Sequence, residues 1–120
     1  MRSHRRRASL EHVLIAADLT ELDSIRALLA LLPTGAYGQV FVEADESTEV
    51  PVIAAPPRVT VSTIARSGHH VAGEPLTDAV AGWVAEWMPE EPQLERTISI
   101  WAGATVTDGV PTLGANLERL

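Results

Sequence analysis

Apolar and polar positions along this chain switch between two periods. Val13-Leu14-Ile15-Ala16-Ala17 is a short unbroken apolar run, the mark of a strand covered on both faces. Asp18 ends it, and Thr20 with Asp23 three residues on resembles a capping box opening a helix. Leu22, Ile25, Leu28, Leu29 and Leu32 then recur at spacings of three and four, which is one helical face. A strand feeding a helix through a polar junction is the half-unit of a parallel α/β sheet. Ligands of such sheets sit at the carboxyl ends of the strands, so Ala17 to Thr20 is the first place to look for a site.

Further along, Pro33-Thr34-Gly35-Ala36 makes a turn, and Gln39 to Ala44 reads as a second buried strand. An acidic loop, Asp45 to Glu49, and an irregular stretch from Pro51 to Pro57 follow. Arg58 to Ile64 alternates and is β-branched, which predicts a third strand. The connection between these two strands has no helical period, so an extended segment must make the crossover. Arg66-Ser67-Gly68-His69-His70 is polar and turn-forming. Pro75 suits the first turn of a helix whose face carries Leu76, Ala79, Val80, Trp83, Val84 and Trp87, and Pro89 and Pro92 end it. Thr97 to Ala102 is a fourth strand, and Pro111 to Leu120 a short last helix with Leu113, Leu117 and Leu120 inward. The order β-α-β-β-α-β-α predicts an α/β fold, a small, doubly wound, mostly parallel sheet of at least four strands.

Composition narrows the function. The 120 residues suit one domain, residues 11–120, after a flexible arginine-rich tail at residues 1–10. The chain is 46% hydrophobic and carries a net charge of −7, although Arg2, Arg5, Arg6 and Arg7 crowd its start. So acidic a body should repel nucleic acid and anionic membranes; the tail reads as a solvated terminus. There is no cysteine and no lysine, which removes thiolate metal sites, Schiff-base chemistry and a P-loop. No apolar run approaches the roughly 18 residues of a membrane span. Glu11, Asp18, Glu21 and Asp23 interrupt the stretch that would follow a basic export signal, and a cytoplasmic protein is expected.

Several short motifs in order resemble the C-terminal domain of siderophore-interacting proteins, the NAD(P)H-binding part of flavin-dependent ferric-siderophore reductases. The family pattern LLAGDETALPAI, before a leucine run and a proline, is similar to Leu14 to Ile25 and the leucines to Leu32-Pro33. An IEV-like strand end is matched by Phe41-Val42-Glu43-Ala44, and a VTWLHR-like strand by Val59 to Arg66. WAAGE and a closing basic residue and leucine resemble Trp101-Ala102-Gly103-Ala104 and Leu117 to Leu120. The resemblance implies a ferredoxin reductase-like, NADP-binding fold. It implies cofactor contacts at Ala17, Asp18, Thr20, Glu43, Arg66, Trp101, Ala102, Gly103 and Ala104, with Arg66 suited to an adenosine 2′-phosphate. The family's glycine and glutamate of GDET are Ala17 and Leu19 here, and Ala104 or Thr105 replaces the glutamate of WAAGE. Because the residues before the first strand are too few for a flavin-binding barrel, FAD is expected only from a separate protein.

Each candidate also has a structural reading. Thr20 can simply cap its helix while Asp18 complements the helix dipole. Gly103 permits close backbone approach. His69 and His70 read as loop histidines, because adjacent side chains point apart and no acidic triad completes a metal shell. Trp83 and Trp87 read as core or interface. No nucleophile elbow or GxGxxG fingerprint is present. No catalytic residue is therefore assigned, and the chain is not expected to be a complete oxidoreductase on its own. Two functions remain: a free-standing domain that binds NAD(P)H for a flavin-binding partner protein in ferric-siderophore reduction, or a non-catalytic interaction or regulatory module, with a homodimer as one form of it, that keeps the fold but has lost the cofactor site.

Overall fold

The computed structural model describes residues 12–87, 98–106 and 117–120. Within them one all-parallel sheet has the order β3-β2-β1-β4-β5. Its strands are β1 (His12–Asp18), β2 (Tyr37–Asp45), β3 (Arg58–Arg66), β4 (Ile98–Ala102) and β5 (Leu117–Arg119). Two helices, α1 (Leu22–Leu31) and α2 (Glu74–Trp87), cover it. The doubly wound α/β sheet expected from the hydrophobic pattern is what forms. Among the described residues no helix is long and apolar enough to cross a membrane.

β1 is central, and all of its residues are buried. Its side chains alternate between the two faces, as the pleat requires. Val13, Ile15 and Ala17 join Ile25 and Leu29 of α1 in one core, whereas Leu14 and Ala16 join Leu76, Val80, Trp83 and Val84 of α2 in the other. This double burial explains why β1 is an unbroken apolar run rather than an alternating one.

The helix-free crossover from β2 to β3 also forms. Ile53 is buried in the core beneath α1, and Arg26 Nη2 donates to Val52 O at 3.4 Å. The extended segment thus lies on the face that a crossover helix would cover.

Two expectations are corrected. The last helix over Pro111 to Leu120 is not seen at its end: Leu117–Arg119 is β5, and residues 111–116 lie outside the described residues. Residues 117–119 pair with Ile100, Trp101 and Ala102 of β4. Backbone pairing at that open edge overrides the helical spacing of the leucines. The capping box also sits two residues earlier than Thr20 and Asp23 predict. Asp18 remains extended (φ −78°, ψ 153°) and caps one 3-10 turn, Leu19–Glu21, which leads into α1. The chain turns as soon as the strand ends, and the Thr20 N–H donates back to the Asp18 carboxylate.

Candidate functional site

The chain leaves β1 toward β2 and β3, then returns across the sheet to β4 on the other side of β1. The carboxyl ends of β1 and β4 therefore flank a topological switch point, where α/β sheets open a crevice. The loops meeting there are Asp18 to Glu21 and Gly103 to Val106.

Glu21 fills the junction between them. Its Oε1 accepts from the Asp18 N–H at 3.1 Å, completing the capping box, and its Oε2 accepts from the Ala104 N–H at 3.1 Å. Gly103 leaves room for this carboxylate, since a Cβ there would overlap Glu21 Oε1. Two backbone donors from the ends of different strands thus converge on one anionic group. Close by in sequence, Thr105 Oγ1 is buried without a hydrogen-bond partner among the described residues. Arg119 Nη1 braces the same loop by donating to Gly103 O at 2.7 Å and Val106 O at 2.9 Å.

A second cluster joins the carboxyl ends of β1, β2 and β3. Arg66 Nη1 lies 3.0 Å from Asp18 Oδ2 and 2.6 Å from Glu43 Oε2. Glu43 is fully buried and also accepts from the Gly73 and Leu76 N–H groups, both at 2.8 Å. A carboxylate at a helix N-terminus satisfies donors that the helix itself leaves unpaired and opposes the positive end of its dipole. Gly73 allows the tight approach: its φ is +90°, and a Cβ would overlap the Thr105 carbonyl.

Electrostatics follow from these contacts. Burial works against the charge on Asp18, but the Thr20 N–H and the Arg66 guanidinium outweigh it and hold the carboxyl below its ordinary range. Hydrogen bonds to Glu43 and then to Asp18 push Arg66 further up, so it stays a cation.

Of the residues singled out in the sequence, Asp18, Glu43 and Arg66 come together directly. Gly103 and Ala104 join them through Glu21. Thr20 is exposed, with its N–H donating to Asp18 Oδ1 at 3.0 Å. Ala17 and Ala102 are buried in the core. Trp101 is half-buried and packs against the core under α1. His70 Nδ1 lies 3.0 Å from Ser67 Oγ in the exposed loop after β3. Glu21 and Arg119 were not singled out in the sequence. The aspartate–glutamate spacing of Asp18 and Glu21 is a capping signature that could have revealed the first; the second had been matched only as the closing basic residue of the family motif, with no site role.

The parallel sheet and the paired loops at its switch point define a small, doubly wound α/β domain. The chain belongs to the siderophore-interacting protein family, whose model matches residues 10–107. Its fold is similar to that of the siderophore-interacting protein SipS from Aeromonas hydrophila, with a TM-score of 0.57 and 23% identity, covering 78% of this chain and 38% of that one. It is also similar to a siderophore utilization protein from T. fusca, with a TM-score of 0.65 and 21% identity, covering 91% of this chain and 43% of that one. The chain therefore spans less than half the length of either. No curated protein sequence matches it.

Proposed function

We propose that this chain binds a pyridine nucleotide at the β1–β4 switch point and presents it to a flavin held outside these residues, for ferric-siderophore reduction in the cytoplasm. The observation that carries this reading is the convergence of the Asp18 and Ala104 N–H groups on an anion, the Glu21 carboxylate. That carboxylate stands in for an anionic ligand group, and the orphaned Thr105 Oγ1 adds a further polar group to the loop. Family membership supports the same end of the sheet, because the resemblance aligns its cofactor loops with Asp18 to Thr20 and Trp101 to Ala104. The bound nucleotide would supply the hydride, while the protein would hold and orient it. Arg66 would act through Asp18 and Glu43, keeping the β1 end in place, and Glu21 would have to swing aside.

Calorimetric titration with NADPH and NADH tests this, using the wild-type chain and Glu21→Ala. Binding should shift the amide resonances of Asp18 and Ala104. Glu21→Ala should bind about tenfold more tightly, because the ligand no longer competes with an internal carboxylate for its donors. No binding by either protein at millimolar nucleotide would overturn the reading.

A further inference from the structure

A cavity opens at the opposite end of the sheet from the switch point. His12, Tyr37 and Arg58 stand at the amino ends of β1, β2 and β3, and Trp83, Glu86 and Trp87 come from the last turns of α2. The cavity measures about 470 Å³, within the usual range of small-ligand pockets.

Its lining is unusual for this chain. The protein has three tryptophans, one tyrosine and one phenylalanine, and all except Trp101 face this cavity. The rings are arranged as a connected wall. His12 stacks on Tyr37 with centroids 4.4 Å apart, and it meets Trp83 and Trp87 edge-on with centroids 5.2 Å and 5.1 Å away. Trp87 is 36% exposed, although a tryptophan needed only for packing could be covered more fully.

The charges are as informative as the rings. Arg58 lies over Tyr37, its guanidinium carbon 5.1 Å from the ring centroid, and no carboxylate among the described residues pairs with it. It therefore offers a cation beside an aromatic surface. Glu86 on α2 adds an acceptor that can take a ring N–H.

We propose that this cavity binds a planar heteroaromatic ring carrying an anionic arm, a ligand of mononucleotide type. His12 and Arg58 already cover the two faces of Tyr37, so the ring stacks on the exposed Trp87 at the edge of this wall, and the arm pairs with Arg58. Stacking on aromatic side chains supplies the affinity without demanding one particular ring, while the guanidinium selects for the arm. This site is separate from the switch point and does not depend on the proposal made for it.

The indole N–H resonances of the 120-residue chain provide the test, with adenosine monophosphate as probe and adenosine as the probe without an arm. Trp101 packs on the other face of the sheet and serves as an internal control. The monophosphate should shift the Trp83 and Trp87 signals saturably and leave Trp101 in place. Arg58→Gln should weaken the monophosphate about tenfold while changing adenosine less than about twofold. Arg58 is exposed, so this variant should fold; an unchanged amide spectrum away from the cavity checks that it does. The proposal is overturned if Trp83 and Trp87 stay unmoved at millimolar monophosphate, or if Arg58→Gln weakens both probes equally or neither.

Discussion

Arg66 reaches from the end of β3 to within 2.6 Å of Glu43 on β2, a carboxylate with no exposure to solvent. With Asp18 of β1 on its other side, the guanidinium ties three adjacent strand ends together. Glu43 also holds the start of α2. The cluster is thus a fixed platform beside the switch point.

Glu43→Gln should destabilise the protein by about 3 kcal/mol, because one buried acceptor becomes an amide facing N–H donors and the ion pair is lost. Urea denaturation checks this: the midpoint should fall with little change in slope. Combining it with Arg66→Met should cost less than the sum of the single changes, since the two residues share one interaction.

Acid should loosen the same cluster. Asp18 has its carboxyl held below the ordinary value of 3.8, so its folded form binds a proton less readily than its unfolded form. The stability it contributes is therefore complete above that value and is lost as the pH falls through the lower folded value. Asp45, which accepts from Ser47, has the same sign. Unfolding midpoints measured from about pH 6 to about pH 2 should fall less steeply for Asp18→Asn than for the wild type.

Gly73→Ala should cost about 1–3 kcal/mol, because the left-handed backbone and the overlap with the Thr105 carbonyl both penalise a Cβ. Thermal unfolding reads the loss. An unchanged midpoint would mean that the β4 loop gives way without cost.

Ile25→Ala should destabilise by about 2–5 kcal/mol, the range for emptying a buried aliphatic site. Ile25 is completely buried between α1 and β1. Replacing Leu31, which is 80% exposed, with alanine should change stability by less than about 0.5 kcal/mol. The pair of denaturation curves checks which side of α1 carries the packing.

The hydrophobic pattern made β1, both helices and the helix-free crossover legible, because burial on one or two faces writes its period directly into the residues. It misread residues 117–119, where leucine spacing suggests a helix but the open edge of β4 offers backbone partners. Family motifs pointed to Asp18, Glu43 and Arg66 separately. Their union was not legible, since it depends on which strands end side by side. Glu21 could have been read from its spacing to Asp18, but its bond to Ala104 spans 83 positions and leaves no local trace.

The cap on α2 carries a consequence for how the chain assembles. Glu43 lies 30 residues before Gly73 and 33 before Leu76. The signal that fixes the start of this helix is therefore borrowed from a strand made earlier in synthesis. A peptide of residues 74–87 alone lacks that carboxylate and should fray at its first turn. In the whole chain the first turn of α2 is completed by a carboxylate on β2, which makes the start of the helix a report on sheet assembly.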